Sequence, residues 1–224
     1  MDGPPTMTTQ APPFNAELAD RIRASGGTLA GSLYAVPAAQ RASAADLLHR
    51  HGAWVHADVF DDPGEGVDVD LIAALAAARL ARLDIHLLTA GALAALDLVC
   101  RPGVDRITFP FEGVAAVGDV AARIRAAGVS PWLAVAPGTS LVECAEASAH
   151  VDGLLVMLLE PGTRRSADLR HLSKVENAHA GTTVGVDGGV REVDLDRILA
   201  AGATYIVAGR RLFTSVPARP QVAS

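Results

Sequence analysis

The sequence predicts an α/β protein, a single (β/α)8 barrel of the TIM type, and three observations carry that expectation. Eight apolar segments of strand length recur along the chain, separated by seven Ala/Leu-rich stretches with helical spacing. Several of those stretches end at glycine, at Gly52, Gly128 and Gly202, where a left-handed C-terminal residue favours that type. The first strand exits into Tyr34-Ala35-Val36-Pro37, without the glycines that open the nucleotide-binding turn of an open, doubly wound sheet. Parallel strands joined by right-handed helical crossovers close into a barrel at eight.

Taken in order, residues 1–13 are rich in proline, threonine and glycine and are expected to be disordered. An amphipathic helix over 14–24 follows, with Phe14, Leu18 and Ile22 on one stripe and Gly26-Gly27 stopping it. The strands are expected at 29–36, 54–60, 83–88, 106–111, 131–136, 153–159, 183–186 and 205–208. Helices are expected between them at 38–50, 69–78, 90–99, 114–127, 141–149, 167–180 and 194–201. After the last strand only a short proline-containing tail remains, so the eighth covering helix is missing or short, and the extra N-terminal helix is placed over that gap. The expected organisation is a flexible N-terminus plus extra helix over 1–27, the barrel over 28–214 and a C-terminal tail over 215–224.

Composition narrows the function. Of 224 residues 50% are hydrophobic and 20% charged, which excludes wholesale disorder. The balance of 19 basic against 25 acidic residues, net −6, argues against a nucleic-acid partner. Lys174 is the only lysine, and it stands in the polar stretch Ser173-Lys174-Val175-Glu176-Asn177, which argues against both a Walker-type phosphate loop and Schiff-base chemistry. Cys100 and Cys144, far apart, read as idle thiols of a reducing compartment. No apolar run is long enough to span a bilayer, and the start lacks the order of a signal peptide, so a soluble, cytoplasmic protein without a membrane partner is expected.

In such barrels chemistry sits at the C-terminal ends of the strands. The second strand, Trp54-Val55-His56-Ala57-Asp58-Val59-Phe60-Asp61, puts His56 and Asp58 on one face because residues two apart share it. The third places His86 near its end, and the seventh ends in Asp187 before Gly188-Gly189. Two imidazoles and two carboxylates converging on one mouth suit a borderline divalent cation: Zn, Mn, Fe or Co.

These segments resemble the ribulose-phosphate 3-epimerase family from roughly Leu29 to Phe213. The family pattern histidine-x-aspartate-valine-x-aspartate corresponds to His56–Asp61, and aspartate-x-histidine-leucine to Asp84-Ile85-His86-Leu87. Proline-glycine-threonine corresponds to Pro137-Gly138-Thr139, and the seventh-strand motif to Val186-Asp187-Gly188-Gly189. The resemblance implies a ribulose-phosphate-binding type of barrel and a metal-dependent isomerase. Such an enzyme inverts C3 of a ketose phosphate, D-ribulose 5-phosphate to D-xylulose 5-phosphate or a related sugar, in pentose-phosphate carbohydrate metabolism. It implies that His56, Asp58, His86 and Asp187 bind the metal and that Asp58 and Asp187 are catalytic, exchanging protons through an enediolate. It further implies that Ser32, His86, Gly138, Met157, Asp187, Gly188, Gly189 and Gly209 contact substrate, and that the protein is a homo-oligomer.

The phosphate end departs from the family. Where relatives carry glycine-phenylalanine-glycine-glycine after the sixth strand, this chain has Glu160-Pro161-Gly162-Thr163-Arg164-Arg165, and it has Gly209-Arg210 in place of glycine-serine after the eighth. Pro110 replaces a common histidine, Phe60 and Leu88 replace methionines, and the loop after the second strand is Asp62-Pro63-Gly64-Glu65-Gly66. Either arginine side chains replace backbone amides at the phosphate, with Arg210 the favoured contact and Arg164 and Arg165 a solvated loop, or the substrate differs from a simple pentulose phosphate. Two other functions stay open: a non-catalytic or repurposed sugar-phosphate-binding barrel, and another lyase or isomerase of the superfamily. The lysine that decarboxylating relatives carry at the third strand end is absent, because that position is His86.

Overall fold

A computed structural model describes residues 11–62, 64–89, 91–163, 165–179 and 181–214. The expectations for 1–10, for the tail over 215–224 and for Arg164 lie outside the described residues. The strands are β1 (Thr28–Ser32), β2 (Trp54–Phe60), β3 (Leu83–Leu88), β4 (Arg106–Pro110), β5 (Ser130–Val135), β6 (Gly153–Met157), β7 (Thr183–Asp187) and β8 (Tyr205–Ala208). All pair in parallel with the next in sequence, and β8 returns to β1, so the barrel is closed.

Helix α1 (Ala16–Ala24) precedes β1, and α2 (Arg41–Arg50), α3 (Val69–Ala78), α4 (Ala92–Val99), α5 (Val117–Ala126), α6 (Ala145–Ser148), α7 (Leu172–Glu176) and α8 (Leu195–Ala200) follow β1 to β7 in turn. Among the described residues no helix follows β8, and α1 lies over the β8–β1 seam. Its buried stripe is Leu18, Ala19 and Ile22. Its N-cap Asn15 accepts from the Leu18 amide at 3.0 Å, and the Asn15 amide donates to the Leu212 carbonyl just past β8 at 2.8 Å. The Asn15 side chain donates to Glu192 at 2.6 Å, and Arg21 reaches Asp196 in α8 at 2.9 Å. On the other side Arg23 donates to the His51 carbonyl at the end of α2 at 2.6 Å, so the helix is tied to both flanks of the gap it covers.

Several expected elements are shorter. The first strand ends at Ser32 rather than at residue 36, because the chain turns into a 3₁₀ turn (Leu33–Ala35). The helix expected over 141–149 shrinks to α6: Ser140 and Glu143 exchange the bonds of a capping box, but residues 141–144 run on as turns and only Ala145–Ser148 is α-helical. The helix expected over 167–180 shrinks to a 3₁₀ turn (Leu169–His171) and α7. The amides of Ala167 and Asp168 bond to the carbonyls of Gly189 and Leu158, and Asp168 is extended with its side chain capping the Arg170 amide, so the first turn opens only at Leu169. Gly52, Gly128 and Gly202 do have positive φ, as the C-terminal positions require.

Side-chain alternation sorts the core into two. Leu83, Ile85, Ile107, Leu133, Val135, Leu154 and Val156 face outward against the helices. Ala30, Trp132, Ala134, Leu155, Met157, Tyr205 and Val207 fill the interior with Trp54 packed against them. In-register pairing then sets the polar interior positions side by side: Ser32 with His56, His56 with Asp84, Asp58 with His86, and Met157 with Asp187. No described helix is long and apolar enough to cross a membrane.

Candidate active site

The four residues singled out for metal binding come together. One ring nitrogen or carboxylate oxygen from each of His56, Asp58, His86 and Asp187 lies within 4.8 Å of the others. His56 Nε2 and His86 Nδ1 each stand 3.3 Å from Asp58 Oδ1 and 3.7 Å from Asp187 Oδ2. Donor pairs about 3.0–3.4 Å apart are what ligand bonds of about 2.1 Å to one cation give. The imidazoles are fully buried, and neither His56 Nε2 nor His86 Nδ1 has a hydrogen-bond partner among the described residues. Buried polar atoms left this way are costly, and a cation between them would satisfy both. The residues present therefore fit a divalent metal ion.

Asp84, which sequence reading did not count among the site residues, orients one ligand. Its Oδ2 accepts from His56 Nδ1 at 2.9 Å, which turns Nε2 toward the cluster. Tyr205 donates to the same oxygen at 2.7 Å and Thr108 to Oδ1 at 3.2 Å. The signal for Asp84 was its place two residues before His86, on the same face of the strand. Ser32 donates to Asp58 Oδ2 at 2.8 Å, leaving Oδ1 to face the imidazoles.

The environment pushes the two site carboxyls apart. Burial would raise Asp58, yet His56 and His86 beside it hold it far below the usual carboxylate range. Burial raises Asp187, the Asp58 charge raises it further, and the imidazoles offset this only in part. Burial disfavours the His56 cation, but Asp58 and Asp84 more than reverse that and raise it well above its ordinary value.

Above the cluster a cavity of about 490 Å³ opens, lined by Ser32, Asp58, Met157, Asp187, Gly188, Gly189, Gly209 and Arg210. It thus gathers most of the expected substrate contacts, with Tyr34, Phe60 and Leu88 as its apolar wall. Gly138 and His86 are not among its lining residues: Gly138 stands exposed on the turn after β5, and His86 is fully buried in the cluster. Arg165, Arg191 and Arg211 join at the far end; Arg191 is engaged by Asp194 and Arg211 by Glu192. Arg210 donates to the Arg165 carbonyl at 3.0 Å, linking the loops after β6 and β8. Lys174 is turned to the carbonyls of Ala136 and Pro137 at 2.6 and 2.9 Å, a structural latch outside the cavity. A larger cleft of about 620 Å³ lies at the opposite end of the barrel, among the turns that enter β3, β4 and β5, away from these groups.

Comparison with known proteins agrees with this arrangement. The model of the Ribulose-phosphate 3 epimerase family matches residues 28–213. A ribulose-phosphate 3-epimerase of Treponema pallidum is 30% identical over 199 residues, 84% of this chain and 91% of that protein. That of Mycobacterium bovis is 30% identical over 84% of this chain and 86% of its own length. Among solved structures, a mutant tryptophan synthase alpha-subunit from Pyrococcus furiosus superposes with a TM-score of 0.64 at 16% identity, covering 83% of this chain and 88% of that one, a likeness of fold alone.

Proposed function

The chain belongs to the ribulose-phosphate 3-epimerase family of isomerases, and we propose that it inverts C3 of a ketose phosphate with Asp58 and Asp187 as the proton-transferring pair. The observation that carries this is one buried cluster that brings two carboxyls, Asp58 of β2 and Asp187 of β7, together with two imidazoles, Asp58 held below the usual carboxylate range and Asp187 raised above it. Paired carboxyls with separated affinities for the proton divide the roles of base and acid between them. In one direction Asp58 takes the proton from C3, the C3–H electron pair moves toward the carbonyl, and Asp187 delivers a proton to the other face of C3. The exchange leaves Asp58 protonated and Asp187 ionised, which is the starting state of the reverse reaction. Ser32 holds the second oxygen of Asp58, so Oδ1 is the oxygen that meets the proton. A divalent cation held by His56, Asp58, His86 and Asp187 would stabilise negative charge developing on the substrate oxygens.

Phosphate is placed at the cationic end of the cavity, where Arg165 and Arg210 stand with Gly188, Gly189 and Gly209. Guanidinium groups serve there in place of a glycine-lined cradle. Met157, in register with Asp187, backs the reacting carbon with an apolar surface. Incubation with D-ribulose 5-phosphate and with unphosphorylated D-ribulose in deuterated water, read by NMR, tests both parts. Exchange at C3 with inversion of the phosphorylated sugar alone is expected. Equal exchange of both sugars would remove the phosphate assignment, and exchange of neither at full metal occupancy would overturn the proposed reaction.

A further inference from the structure

The floor of the barrel holds a charged group that proton transfer does not use. Arg106 enters from β4 at 8% exposure, and its Nε and one terminal nitrogen have no hydrogen-bond partner among the described residues. Its surroundings are aromatic. The guanidinium carbon is 3.6 Å from the ring centroid of Trp132, 4.2 Å from that of Tyr205 and 4.5 Å from that of Trp54. A cation out of water is attracted to such ring faces by their quadrupole.

The rings are fitted to the strands beside them. A β-carbon at Gly153 would stand 2.5 Å from the Trp132 ring, and one at Gly185 would stand 2.9 Å from the Tyr205 ring, so both places require glycine. Tyr205, held edge-on between Trp54 and Trp132, directs its hydroxyl onto Asp84 Oδ2. The Arg106 terminal nitrogen lies 4.0 Å from that same oxygen, which also receives His56 Nδ1–H.

We propose that Arg106 and Tyr205 are positioning residues: the aromatic cage fixes the Asp84 carboxylate, and Asp84 fixes the His56 ring so that Nε2 faces the metal. The layer usually read as a stability floor thus sets the geometry of a ligand one level above it. This rests on the metal-binding reading of the four-residue cluster. Loss of a residue that orients a metal-ligating histidine weakens binding by about 10- to 100-fold.

The test is a Co²⁺ titration of chelator-stripped protein, followed by visible absorption and by competition with a chelator of known affinity. Tyr205→Phe keeps the ring and removes only the hydroxyl, while Arg106→Met removes the caged cation. Leu133→Val, buried on the outer side of β5, is the core control that costs stability without touching the cage. Tyr205→Phe and Arg106→Met are expected to weaken Co²⁺ binding about tenfold or more and to alter the absorption envelope, while Leu133→Val leaves both unchanged. Should Arg106→Met fail to fold, Tyr205→Phe decides alone. A wild-type protein that takes up no Co²⁺ overturns the metal centre, and this proposal with it. Wild type and both variants binding alike, with the same spectrum, overturns this proposal alone.

Discussion

Asp58 and Asp187 stand in one buried cluster yet are shifted in opposite directions, and that difference is local in origin. Two imidazoles and the Ser32 hydroxyl favour the Asp58 carboxylate, whereas Asp187 has burial and the Asp58 charge against its ionisation. Replacing either by Asn removes a proton acceptor and a metal ligand while conserving volume. Asp58→Asn and Asp187→Asn should each lower turnover by about 10²–10⁴-fold with the circular-dichroism spectrum unchanged. Activity of either variant within about tenfold of wild type would refute its role. These two, with His56 and His86, could be read in the sequence because strand alternation and strand ends suffice to place them. Arg106 and Tyr205 could not, since their meeting depends on which side chains from β4 and β8 reach the barrel axis at one level.

At the scale of elements, α1 is the piece that adapts this barrel to a chain with no described helix after β8. Asn15 is its anchor: buried, capping the helix, and joined to Glu192 and the Arg211 carbonyl. Asn15→Ala should cost about 1–2 kcal/mol. By calorimetry that is a fall in Tm of roughly 2–8 °C. Glu192 carries a pH signature. Burial would raise its carboxyl, but its own backbone amide, Arg211 and Asn15 bring it below its ordinary value. A carboxyl lowered in the folded state stabilises above its unfolded value and loses that contribution as pH falls through its folded value. The stability difference between wild type and Glu192→Gln should therefore be full at neutral pH and shrink below about pH 4, a trend that denaturant titrations at several pH values would read. The cover of the seam by α1 was legible in part from the Phe14–Leu18–Ile22 stripe. The truncation of α6 and α7 was not, because Asp168 is held extended at the Leu158 carbonyl and residues 141–144 close as turns, and neither is recorded in an apolar period.

Over the whole molecule, two ends of one barrel carry different burdens. The end reached by β2, β3 and β7 gathers the polar cluster, while the opposite cleft lies among the turns entering β3 to β5 and gathers no such group. The eightfold strand–helix alternation was legible because its two periods, two and 3.6 residues, are written in apolar positions. The arginine-lined end of the cavity was less so, since loops carry no period and their placement follows from contacts such as that of Arg210 with the Arg165 carbonyl. Arg210→Ala should raise KM for a phosphorylated ketose about tenfold and leave kcat within about twofold, as expected for a contact equal in ground and transition states. The central claim, that one cation in the four-residue cluster supports proton exchange at C3, is tested most directly by adding Co²⁺ or Zn²⁺ stepwise to stripped protein. Deuterium wash-in at C3 of D-ribulose 5-phosphate is followed at each step. The rate should start near zero, rise in proportion to bound cation and level off at one per chain; a full rate in the stripped protein would contradict the account.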